Sequence, residues 1–151
     1  MTDQTDAPST VRPGDPSFLD HYRRAWSSGD EDLLRTAFAE DGVYIDTGMG
    51  HTYTGVHDVA RFFRHMLRFS SDTLVDFTSI VVDGESFTAE WTWSGTADGP
   101  LSLGDQVHPA TGRTYSVPGV AVCRADACGR VTYHRDYYDV RDLARQVGID
   151  L

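Results

Sequence analysis

Along this chain the spacing of apolar residues changes once, near Asp72, from a helical period to a period of two. Before that point Phe18, Tyr22, Ala25 and Trp26 share one face of a predicted helix. Leu33, Leu34, Ala37 and Phe38 form the face of a second, and Val59, Phe62, Phe63, Met66 and Leu67 that of a third. Asp15-Pro16 predicts the first helix start, because a carboxylate caps free N–H groups and proline suits the first helical position. Ser27-Ser28-Gly29-Asp30 ends that helix and caps the next. Glu40-Asp41-Gly42 predicts a turn into a short strand over 43–46, and the glycines of GMGHTYTG predict a loose loop before the third helix.

Beyond Asp72 the alternation, rich in Val, Thr, Phe, Tyr and Trp, predicts strands over 73–82, 86–96, 114–124 and 130–138. Asp83-Gly84 and Cys128-Gly129 read as hairpin turns, 97–113 as a long hairpin loop, and 141–147 as a short closing helix. Helices followed by a run of antiparallel strands predict an α+β domain, its helices packed on one face of a curved antiparallel sheet. Such a sheet leaves a cone-shaped internal cavity.

The 151 residues suffice for one domain, expected over 15–151 after a flexible tail at 1–14. With 13 basic against 23 acidic residues the formal net charge is −10, which opposes nucleic acid and anionic membranes as partners. A neutral small molecule meets no such obstacle. The start lacks the apolar stretch of a secretory signal, and no run approaches the roughly 20 apolar residues of a membrane helix, so a cytoplasmic location is expected. In that setting Cys123 and Cys128 are expected to be reduced. The histidines are scattered without a HExxH or CxxC arrangement, and no GxGxxG, P-loop or GxSxG motif is present. No metal and no cofactor is expected.

The candidate chemistry lies in two places. Asp46 ends an apolar strand just before glycines: it is either a turn cap or a carboxylate facing an apolar cavity, where desolvation would raise its pKa. Asp136 interrupts an aromatic strand, with Thr132, His134 and Tyr138 on its side of the pleat and Arg135 and Tyr137 on the other. His134 is placed to orient it or to share a proton. Tyr22 lies on the apolar face of the first helix. Trp26, Phe62, Met66, Trp91, Trp93 and Tyr138 are candidates to line a cavity for a flat, apolar or polycyclic ligand.

From Pro16 to Gly148 the chain resembles the nuclear transport factor 2-like superfamily, the cone fold of ketosteroid isomerases, limonene epoxide hydrolases and SnoaL-like polyketide cyclases. Ser-Gly-Asp between two helices and Ala-Glu-Asp-Gly before the strand carry the likeness to the isomerases. The ending Arg135-Asp136-Tyr137-Tyr138-Asp139 is similar to that of the epoxide hydrolases and SnoaL-like proteins, and His108-Pro109-Ala110-Thr111-Gly112-Arg113 is also SnoaL-like. The resemblance implies that Tyr22 stands where the isomerases carry an oxyanion-hole tyrosine, Asp46 on their proton-shuttling aspartate, and Asp136 on a catalytic acid. It also implies a homodimer through the outer sheet face. Three positions depart from these families. Ala121 stands where the isomerases have a second acid, Trp91 and Trp93 where the epoxide hydrolases have Arg and Asp, and VPGVAVCRA lacks the histidine of the cyclases. The implied function is cofactor-free acid–base catalysis, a cyclisation or isomerisation through an enolate, on a small apolar carbonyl compound. Epoxide hydrolysis or epoxide-opening cyclisation is one alternative, and a non-catalytic small-molecule binding module is the other.

Overall fold

The computed structural model describes residues 11–151, so the expected tail lies outside them up to residue 10. Its last part belongs to the domain: Val11 packs against the main core and Pro13 is buried. The Asp15 carboxylate does not cap the first helix. It accepts the Arg12 N–H at 2.8 Å and closes a turn, so helix α1 (Phe18–Ser27) starts after Ser17, which offers no side-chain cap. Asp30 does cap α2 (Glu31–Ala37), accepting the N–H groups of Asp32 and Leu33. Phe38, expected on that helix, already has extended backbone and opens strand β1 (Phe38–Asp46). The strand is longer than predicted because a register shift between Phe38 and Val43 absorbs the Glu40-Asp41-Gly42 stretch that looked like a turn.

The segment expected to be an open loop contains strand β2 (His51–Thr54), which pairs antiparallel with β1, Val43 opposite Thr54 and Asp46 opposite His51. Its alternating Thr-Tyr-Thr was outweighed in the sequence by three flanking glycines. After α3 (Val56–Phe69) come β3 (Leu74–Asp83) and β4 (Ser86–Thr96). A small hairpin, β5 (Leu101–Leu103) and β6 (Gln106–His108), lies within the expected loop. Then follow β7 (Thr114–Ala125), β8 (Val131–Tyr138) and α4 (Val140–Val147).

Six strands form one curved, open sheet in the order β2-β1-β8-β7-β4-β3. All its pairs are antiparallel except β1 with β8, which run parallel; a wholly antiparallel sheet was expected. This pairing brings the first long strand and the last one together at the middle of the sheet. The main core fills the space between α1, α2, α3 and the inner face, with Phe18, Tyr22, Trp26, Phe38, Phe63 and Phe87 buried. A second core lies under α4, where Leu143, Ala144 and Val147 meet Phe69, Tyr115 and Val117. The Asp139 carboxylate caps α4, and Gly148 stops it with a φ of 79°, a conformation open to glycine.

The β5–β6 hairpin is fastened at its base, where the Gly99 N–H donates to the Phe69 carbonyl at 2.9 Å. A side chain there would begin 1.7 Å from the Arg68 carbonyl oxygen. Gly99→Ala is therefore expected to separate the hairpin from the end of α3 and to lower stability by roughly 2 kcal/mol. A urea midpoint equal to that of the parent protein would contradict this.

Candidate functional site

The register of the sheet places the side chains of the site in rows. Parallel pairing sets Tyr44 beside His134 and Asp46 beside Asp136, so the two aspartates occupy matched positions on neighbouring strands. Continuing across β7 and β4, His134 is followed by Cys123 and Phe87, Asp136 by Ala121 and Ala89, and Tyr138 by Gly119 and Trp91. The residues beyond Asp136 are small. The Trp91 ring lies across Gly119, where a Cβ would fall 2.3 Å from its Cζ2, and its Nε1–H reaches back to Asp136 at 3.0 Å. Gly48 makes similar room for Tyr138, whose ring would lie 2.5 Å from any Cβ at that position.

Asp136 is held by three donors. Its Oδ1 accepts from His134 Nε2 at 2.7 Å and from the Trp91 indole, and its Oδ2 accepts from the Tyr44 hydroxyl at 2.6 Å. Burial opposes a charge on His134, but the Asp136 carboxylate, with lesser help from Cys123 and Tyr22, holds the imidazole well above its usual 6.5. With both ring nitrogens protonated, Nδ1–H donates to the Tyr22 oxygen at 2.7 Å. A continuous chain thus runs from Tyr22 through His134 and Asp136 to Tyr44. Burial raises the phenols of Tyr22 and Tyr44, and for Tyr44 the two nearby aspartates add to the effect.

Asp46 is bound differently. Its Oδ1 accepts both the Met49 N–H at 2.9 Å and the Tyr138 hydroxyl at 2.8 Å, and among the described residues no donor reaches Oδ2. Burial lifts its pKa from 3.8 to about 6, against the opposing pull of these two donors. It therefore exchanges protons near neutrality, while Asp136 is tied into a fixed network.

Asp46, Asp136 and His134 all line one cavity of about 560 Å³. Trp26, Phe62, Met66, Trp91, Trp93 and Tyr138, each expected on its wall, line it too. Tyr22 does not. It is 1% exposed, behind His134, so it steadies the imidazole and has no path to a bound oxyanion. Ala121, the register partner of Asp136, leaves that position without a second acid. Sequence reasoning missed Tyr44, although its place two residues before Asp46 put it on the same strand face. It also missed Met49, Tyr53 and the two seating glycines, Gly48 and Gly119, whose roles depend on partners distant in sequence. Both cysteines are free, Cys123 buried and Cys128 exposed. Among the described residues no cluster of three or more metal-ligating side chains occurs, and no helix is long and apolar enough to cross a membrane.

Two outcomes follow from this geometry. Gly119→Ala is expected to push the Trp91 indole off Asp136, costing roughly 1–3 kcal/mol through the lost donor; tryptophan emission and the unfolding midpoint would both be unchanged if it does not. Asp46 binds its proton more tightly in the folded protein, so its contribution to stability is lost as pH rises from 3.8 to about 6. Asp46→Asn is expected to raise stability by about 3 kcal/mol at neutral pH and by almost nothing below pH 4. Denaturant titrations at both pH values read this directly, and equal differences at the two would contradict it.

Solved structures with this architecture include a protein from Catenulispora acidiphila, determined in complex with trimethylamine. That protein has a ketosteroid isomerase-like fold and is 23% identical, with a TM-score of 0.75 over 89% of this chain and 95% of that one. A candidate SnoaL-like polyketide cyclase from Jannaschia sp. CCS1 is 18% identical, with a TM-score of 0.73 over 98% and 99% of the two chains. A candidate polyketide cyclase from Pseudomonas putida KT2440 is 26% identical, with a TM-score of 0.68 over 85% and 94%. No curated protein matches the chain. The family model of the SnoaL-like domain matches residues 19–134, most of the fold just described, and the chain belongs to that family.

Proposed function

We propose that the protein is a cofactor-free acid–base enzyme that acts, through an enolate, on a small and largely apolar carbonyl compound, as a cyclase or isomerase. The observation that carries this reading is the pairing of two unlike carboxylates on one cavity wall. Asp46 has a free oxygen and an affinity for protons suited to neutral pH; Asp136 is wired to a protonated histidine. Membership of the SnoaL-like family supports the same class of chemistry.

In this reading Asp46 Oδ2 takes a proton from the carbon beside the carbonyl, and the C–H electron pair moves into a carbon–carbon double bond as the carbonyl becomes an enolate. The enolate oxygen lies toward Tyr44 and Asp136, where the proton held between His134 and Asp136 is shared with it. Asp46 then returns its proton to another carbon of the conjugated system, which completes an isomerisation. Alternatively the enolate carbon attacks a second carbonyl carbon, a ring closes, and the proton passes to the new alkoxide. Either way protons balance without an outside reactant. The tryptophan and phenylalanine walls exclude water and strengthen each polar contact. The exposed Val122 and Tyr137 on the outer face of the sheet support pairing of two copies there.

A second reading, a non-catalytic binding module, is favoured by one observation: three internal donors already occupy Asp136. Epoxide opening would use the same two acids, without the Arg and Asp that Trp91 and Trp93 replace. Proton exchange separates catalysis from binding without knowledge of the natural substrate. In heavy water the protein is expected to speed deuterium entry at the activated carbon of β-tetralone, followed by NMR. Asp46→Asn is expected to slow this by about 100-fold or more and Asp136→Asn by at least tenfold. Exchange no faster than in buffer, or unaltered in both variants, would leave the binding module as the better account.

A further inference from the structure

Helix α3 carries two parallel stripes along the cavity. Phe62, Met66 and Phe69 form an apolar stripe, and the residues just before each, Arg61, His65 and Arg68, form one in which two guanidinium groups flank an imidazole. All of these line the cavity, but Arg61, His65 and Arg68 are exposed and therefore stand at its mouth. His51 on β2 is exposed at the same rim. Across the mouth the β5–β6 hairpin presents Leu101, Ser102, Gly104 and Val107, with Val107 69% exposed.

This stripe is a local reversal of sign in a chain of net charge −10. Among the described residues Arg68 has no carboxylate within ion-pair distance, and Arg61 has only a partly exposed contact with Asp58 at 3.4 Å. His65 feels the accumulated charge: burial first, then Arg68, Arg61 and Arg64, pull its imidazole down. The acids that line the cavity, Asp46 and Asp136, lie inside it on the sheet. The cavity is thus acidic within and basic at its opening, with aromatic walls between.

We infer that the ligand carries an anionic group, of carboxylate type, at the end opposite its reacting carbonyl, and that Arg61 and Arg68 receive that group at the cavity mouth. Guanidinium groups suit it because their paired donors match the two oxygens of a carboxylate. The apolar body then lies on Phe62, Met66 and Phe69 and under the hairpin, and its neutral end meets Asp46. The inference rests on the acid–base reading only for which end points inward.

The test compares two probes of nearly equal shape, β-naphthoate and its methyl-ketone isostere β-acetonaphthone, with binding read from quenching of the wall tryptophans. The protein is expected to prefer the naphthoate by about tenfold at low ionic strength and less as salt is added. In the Arg61→Gln/Arg68→Gln double variant that preference is expected to vanish while the affinity for β-acetonaphthone stays the same. Equal affinity of the parent protein for both probes, or a preference that survives in the double variant, would overturn the inference. The acid–base reading would stand in that case, since proton exchange measures it separately. Failure of both probes to enter the cavity would overturn the inference as well.

Discussion

A buried carboxylate organises this protein. Placing a carboxylate inside a fold costs several kcal/mol unless its lone pairs are engaged. Three donors engage them here: an imidazole, an indole and a phenol. Charge-assisted bonds of this kind contribute about 1.5–3 kcal/mol each, so all three together offset the penalty and any two do so poorly. Each donor in turn needs its own support. Trp91 needs a glycine across the strand, His134 needs Tyr22 behind it, and Tyr44 needs β1 in parallel register with the last strand. The requirements of one side chain thus spread over four strands and a helix.

Asp46 shows what the same sheet does to a carboxylate that lacks such a network. Both of its donors meet one oxygen, leaving the other to the cavity, and burial outweighs their pull and makes the acid easier to protonate than a carboxylate in water. The two residues are chemically identical and adjacent in register, yet one is held by donors on both oxygens and the other on one alone. Unequal hydrogen bonding gives them unlike surroundings, and the proposed acid–base chemistry rests on that difference.

Much of the fold was readable in the sequence because its elements are locally consistent. The aromatic alternation of β4, β7 and β8, the spacing of Phe62, Phe63 and Met66, and the cap at Asp30 all signal their own structure. Where local signals competed, they misled. Asp15 capped a turn, Phe38 left its helix, and Thr52-Tyr53-Thr54 formed a strand despite neighbouring glycines. The site was legible as a set of residues but not as a set of contacts. Tyr22 and Tyr44 are both core-facing tyrosines in the sequence, and only the register between strands decides that Tyr44 reaches the cavity while Tyr22 sits behind His134. Family likeness pointed to Tyr22 for the same reason, since a likeness records positions rather than partners.

The parallel contact between β1 and β8 has a consequence for how the protein comes into being. Tyr44 and Asp136 are separated by 92 positions along the chain, yet they must meet for either to be satisfied. During synthesis the amino-terminal half emerges with its bulky rings and with Asp46 but not Asp136 of the two cavity aspartates, and with no terminal strand to complete the wall. Long-range pairing of this sort forms slowly, because distant segments must find each other before the gain arrives. A nascent or truncated chain therefore lacks the paired carboxylates, and the proposed chemistry has to wait until the last strand has docked.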